Sequence, residues 1–129
     1  MKTPHIPVSW GELFDKKTIL HIKLKNLKTK SALKNVKTEY DELSKIFDKN
    51  FSKNTNAKKL LLDLQKINQK LWEIEDLIRD KERNKTFDKE FIKLARSVYF
   101  TNDDRARIKR IINDTLGSEI IEEKSYSDY

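Results

Sequence analysis

Two glycines and two prolines in 129 residues leave this chain few places to turn. A strand-and-turn architecture needs residues that tolerate tight reversals every 8–12 positions, so their scarcity favours long helices. In the stretch VSWGELF, Ser9 and Glu12 stand at the S-x-x-E spacing of a capping box, and Val8 and Leu13 at the positions of a hydrophobic staple. Together they set the start of a first helix at Trp10. Its main apolar stripe is Leu13, Leu20, Leu24 and Leu27, with Phe14 and Lys17 beside it, while Ile19 and Ile22 fall on another face. A helix with two apolar faces has two packing partners. One expectation is therefore a homodimer paired through Ile19 and Ile22.

A second helix over 31–47 carries Leu33, Val36, Tyr40, Leu43 and Phe47 at spacings of three and four, and DKNFSKNTN then reads as a polar loop above Phe51. The third helix, over 57–83, has the longest apolar seam: Leu60, Leu64, Ile67, Leu71, Ile74 and Ile78. A fourth opens near Asp88 with Phe91, Ile92, Ala95, Val98 and Tyr99. It either continues or restarts at TNDD, where Thr101 and Asp104 can cap. Ile108, Ile111, Ile112 and Leu116 carry the last helical segment, and Gly117 suits a left-handed cap. These elements predict an all-α fold: an antiparallel helical bundle of four to five helices, built from two helical hairpins. The expected organisation is one helical domain over 1–129, with an N-terminal arm (1–8) and a short acidic C-terminal tail (118–129).

With 38% charged against 36% hydrophobic residues, the apolar side chains must be placed economically. No apolar run approaches the roughly 18 to 20 residues that cross a bilayer, so the expected location is cytoplasmic. Absence of cysteine excludes disulfides and thiolate chemistry, and His5 and His21 lack metal-ligand spacing. The net charge of +7 makes a basic protein, and the excess lies early: Lys16 to Lys59 holds thirteen lysines and four acids. That segment supports RNA binding as a third reading. It also reads as a solvated face, since no arginine and hardly any aromatic residue interleaves the lysines to stack on bases.

All six arginines lie between Arg79 and Arg110, whereas the chain uses 22 lysines. Where lysine is the default cation, arginine marks positions that need a planar fork able to grip a carboxylate or phosphate bidentately. The stripe Asn68, Trp72, Glu75 and Arg79, spaced 4, 3 and 4, borders the third helix's seam, with Asp76 beside it. A hairpin folded about residues 85 and 86 sets Trp72 against Tyr99, Glu75 against Arg96 and Asn68 against Asp103. One reading is a half-buried cleft for an anion, with Asn102 and Arg105 adding an amide and a second guanidinium. The other is a set of ion pairs that merely fix helix register. A catalytic alternative uses Glu39, Glu42, Glu73 and Asp76 as magnesium ligands, loosely resembling all-α nucleoside triphosphate pyrophosphohydrolases.

Four ordered segments, IPVSWGELFDKKTILHIKLKNL, KLWEIEDLIRDKE, FIKLARSVYFTNDDRARIKRIIN and GSEIIEEKSY, together resemble a family of small bacterial proteins of unknown function. The positions that carry the resemblance include Asp15, Lys16, Trp72, Glu75, Asp76, Arg79, Tyr99, Asn102, Asp103, Arg105 and Lys124. It implies bacteria that build complex surface polysaccharides, with members sometimes near glycosyltransferase genes or beside tetratricopeptide modules, and it implies no activity. The leading expectation is a small helical binding or assembly protein, an accessory factor in bacterial surface-glycan synthesis, that holds a protein partner or anionic small molecule at the Trp/Glu/Arg-rich face. This reading needs no cofactor. The runner-up is a magnesium-dependent phosphohydrolase acting on a nucleotide or sugar nucleotide.

Overall fold

The computed structural model describes residues 1–129 and contains four helices: α1 (Trp10–Asn26), α2 (Lys30–Phe51), α3 (Thr55–Arg83) and α4 (Lys89–Thr115). They form an antiparallel bundle in which α1 packs on all three other helices and α3 lies along α4. By contrast, α2 packs on α1, brushes α3 and does not reach α4. No helix is long and apolar enough to cross a membrane.

Each helix begins where a short polar side chain can accept from an otherwise unpaired backbone amide. Ser9, Thr29, Asn54 and Asp88 accept from the amides of Glu12, Ala32, Ala57 and Phe91. The expected reciprocal half of the first capping box is absent, because the Glu12 carboxylate accepts from Lys109 Nζ at 3.1 Å instead. Val8 stays exposed while Leu13 is buried, so the expected staple adds little. At the other end of the chain, Gly117 adopts φ 65° and the Ser118 amide donates to the Asn113 carbonyl at 2.8 Å, a glycine-permitted termination of α4.

Two helix boundaries differ from those expected. α2 runs on to Phe51, leaving only Ser52–Asn54 between helices, because Phe47 and Phe51 at i, i+4 both reach the core. α4 continues through TNDD without a break. Thr101 is 2% exposed in mid-helix, and so caps nothing.

The apolar core sits at one end of the bundle, where the start of α1, the end of α2, the start of α3 and the end of α4 converge. It comprises Leu13, Phe14, Phe47, Phe51, Ala57, Leu60, Leu64 and Ile112. Phe14 meets Phe47 and Phe51 edge-on at 5.2 and 5.5 Å between ring centroids, and Trp10 closes on Phe51 at 5.0 Å. Ile22, expected on a face free to pair chains, is 2% exposed within this one chain. Ile19, its neighbour on that face, is half-buried. Lys17, likewise buried, runs its stem inward and hydrogen-bonds the Tyr40 hydroxyl at 3.2 Å, tying α2 to α1.

The first turn of α1 is bonded to the last turn of α4 and the residues after it. The Trp10 amide donates to Ser118 Oγ at 3.2 Å and the Gly11 amide to Asn113 Oδ1 at 2.7 Å. Only glycine fits at position 11. A Cβ there would stand 2.8 Å from the Lys109 carbonyl and 2.9 Å from Asn113 Oδ1. Gly11→Ala is therefore expected to destabilise the protein by roughly 1 to 3 kcal/mol, because overpacking two helix backbones outweighs alanine's helix preference of about 1 kcal/mol. Denaturant unfolding of the variant checks this.

Candidate functional site

Above the apolar core, α1, α3 and α4 enclose a charged group. Asp15 is 2% exposed, and its Oδ1 accepts from Asn68 Nδ2 and Arg105 Nε, both at 2.9 Å. Its Oδ2 accepts from a terminal nitrogen of Arg105, which makes the pair bidentate, and lies 3.7 Å from Lys109 Nζ. Asn68 donates also to Thr18 Oγ1 at 2.8 Å, and Thr18 in turn donates to the Asp15 carbonyl at 2.8 Å. Lys109 bridges outward to Glu12 at 3.1 Å and Glu122 at 3.3 Å. Burial pushes the Asp15 carboxyl up, but hydrogen bonds from Arg105 and Asn68 and the two cations outweigh it and hold the group below its ordinary value. Arg105 and Lys109 are raised in return, against the effect of their own burial.

This cluster changes the meaning of two expected ligand residues. Asn68 faces Asp15 and Thr18 rather than Asp103, and the fork of Arg105 is filled by Asp15 rather than open to an external anion. The paired partners expected across the α3/α4 hairpin do not form either. Glu75 pairs within its own helix with Arg79 at 3.2 Å, and Arg96 lies over the Phe100 ring, 5.7 Å from its centroid. Glu75, Asp76 and Arg79 are exposed and Trp72 is half-buried. The expected single face is therefore divided.

Four of the expected residues, Tyr99, Asn102, Asp103 and Arg105, line a cleft of about 1080 Å³ between α4 and the tail. The tail folds back along α4 and is held there by charge. Glu122 meets Lys109, Glu123 meets Arg110 at 3.3 Å, and the Tyr129 hydroxyl donates to Asp103. That hydrogen bond to a carboxylate raises the Tyr129 hydroxyl to about 12. The Tyr129 ring also packs on Tyr99 at 5.3 Å and edge-on to Phe100 at 5.0 Å. Tyr126 and Lys124 complete the outer wall. Sequence reasoning missed the tail's part in the cleft; its signal was the alternation of acids and tyrosines in EEKSYSDY opposite a helix carrying arginines.

The carboxylates of the magnesium reading do not converge. Glu39 pairs with Lys16 at 3.3 Å, Glu42 with Lys45 at 3.1 Å, and Glu73 accepts from Gln69 at 3.1 Å. Glu39 and Glu42 ride on α2, which barely meets α3, and no three His, Asp or Glu side chains stand close enough together to hold a metal ion. The geometry that two-cation phosphate chemistry demands is missing.

Asp15→Asn keeps the shape of the buried group while removing its charge, leaving Arg105 without a counterion. The expected cost is roughly 3 to 5 kcal/mol, against at most about 1 kcal/mol for Lys16→Ala at the exposed Lys16–Glu39 pair. Because the native carboxyl lies below its ordinary value of 3.8, its contribution is fully present above that value. It is lost as pH falls through the lower native value, and Asp15→Asn should flatten that part of the stability profile. Denaturant unfolding from neutral pH to pH 2 measures both effects.

No curated protein and no solved structure matches this chain significantly. Residues 4–129 match the Family of unknown function (DUF6165), and the chain belongs to that family.

Proposed function

We propose that this protein is a cytoplasmic, non-catalytic binding or assembly factor, accessory to bacterial surface-glycan synthesis, and that the cleft between α4 and the tail takes a sugar unit. The observation that carries the reading is the make-up of that cleft: Tyr99, Tyr126 and Tyr129 stand around Asn102, Asp103 and Arg107. A sugar ring offers two surfaces at once. Its C–H face suits the electron-rich face of a tyrosine, and its hydroxyls need planar donors and acceptors set at the ring's edge. Tyrosine faces with an amide, a carboxylate and a guanidinium meet both needs, and a cleft of this volume has room for one or two rings.

The charges support binding over turnover. Arg105 and Lys109 are engaged by Asp15, Glu12 and Glu122, and Arg107 by Asp104 at 2.8 Å. Arg110 is shared between Asp114 and Glu123. Paired groups of this kind orient a neutral polar ligand well and leave no acid and base poised on opposite sides of a bond. The link to surface glycans comes from the family resemblance, and the cleft's chemistry agrees with it.

Saturation-transfer NMR on the full chain with a panel of uncharged mono- and oligosaccharides provides the test. At least one sugar should make contact, and Tyr129→Ala or Asn102→Ala should weaken its binding tenfold or more while unfolding midpoints stay near wild type. A silent panel, or variants that bind as the wild type does, would overturn the reading.

A further inference from the structure

Along the second half of α4 every cationic side chain has an acidic partner. Toward its start the opposite holds. Lys70 from α3 and Lys89, Lys93 and Arg96 from α4 line a second groove of about 380 Å³. None of these four cations takes part in any ion pair of the structure. The only carboxylate in the groove, Asp104, is bonded to Arg107. Low-dielectric walls lined by one sign of charge focus the field into the groove and concentrate counter-ions there.

The groove also has shape. Arg96 is supported by the Phe100 ring, which restricts a long side chain and leaves the edge of its fork free for two oxygens. Ile92 and Phe100 are 57% and 42% exposed and form an apolar wall beside the cations. Thr101, nearly buried, belongs to the same groove. One carboxylate would satisfy one or two of these cations. Four unpaired cations around a space this small call for a ligand with several negative oxygens on one centre, which lysine ammoniums meet as point charges and arginine meets bidentately.

We propose that this groove binds a phosphate or pyrophosphate group joined to an apolar or aromatic moiety, the oxygens lying among Lys70, Lys89, Lys93 and Arg96 and the apolar part against Ile92 and Phe100. A soluble phosphate compound and a lipid headgroup share this chemistry. The site lies on the other side of Phe100 from the tyrosine cleft and does not depend on the sugar reading.

Two assays on the full chain test it at low salt: calorimetric titration with inorganic pyrophosphate, and co-sedimentation with phosphatidylcholine vesicles with and without phosphatidic acid. Binding to pyrophosphate alone identifies a soluble ligand, and binding that requires phosphatidic acid identifies a lipid headgroup; either supports the site. In the productive assay Arg96→Gln and Lys93→Gln should each weaken binding at least tenfold, Arg96→Lys should lose less, and Lys34→Gln on α2 should change nothing. The side chains replaced are exposed, so the variants should fold, and unfolding midpoints confirm that they do. Failure of both probes to bind overturns the proposal. So does an equal loss in Lys34→Gln, which would mean that diffuse positive charge and not this groove attracts the anion. The cleft reading would survive such a failure, since its probes are uncharged and its variants lie elsewhere.

Discussion

A carboxylate buried among three helices sets the arrangement of everything else. Asp15 leaves water only because Arg105, Asn68 and Lys109 replace its hydration, and those partners come from two different helices. A buried ion pair is a poor source of net stability, since desolvation cancels most of its attraction. Its effect is on register. A slide of α4 by one turn would put Thr101 or Lys109 where Arg105 stands, and the bidentate grip on Asp15 would be lost. α1 and α4 are pinned a second time one turn lower, where Gly11 brings the two backbones together and Asn113 accepts its amide.

That double pin fixes which side of α4 faces outward. Once Arg105, Lys109, Ile112 and Asn113 turn inward, Tyr99, Asn102, Asp103 and Arg107 must flank them, and this is the strip on which the tail lies. The tail is seated by side chains whose positions α1 has already determined: Lys109 reaches Glu122 only because it also holds Glu12 and Asp15. Ser118 works in the same way, accepting the first amide of α1 while donating to the Ile120 carbonyl at the root of the tail. The cleft is thus a consequence of the buried network.

The helices were legible because their signals are local. Apolar residues at spacings of three and four, the Ser9 cap and a closing glycine are read within a few residues of one another, and they located the start of α1 and the span of α3 to within two residues. The site was less legible because its pairings are between distant segments. Asp15 sits one residue beyond Phe14 in a lysine-rich helix, where a carboxylate reads as a solvent group. A pattern was present nonetheless: Gly11, Asp15, Thr18 and Ile22, spaced 4, 3 and 4, form a stripe of small and polar residues ending in an apolar one, and all four are buried. Reading Ile22 with Ile19 instead of with that stripe suggested a dimer face. Likewise the clustering of arginines could not separate an arginine filled by an internal carboxylate, Arg105, from one without an ion pair, Arg96.

That distinction follows from where each cation stands along α4. Toward the C-terminal end, the buried network and the tail neutralise the positive groups. Lys89 occupies the first position of the same helix, where the dipole opposes a positive charge, and there the Asp88 cap and Glu90 offset the dipole. Lys93, Arg96 and Lys70 add positive charge to the same groove without an ion-pair partner, its one carboxylate, Asp104, being taken by Arg107. Internal packing does not require this arrangement, because these cations touch no buried carboxylate and the core lies at the other end of the bundle. An anion bound in the groove would relieve the mutual repulsion of these cations. The same helix therefore presents a neutralised polar cleft at one end and an uncompensated basic groove at the other, with Phe100 between them in contact with both Tyr129 and Arg96.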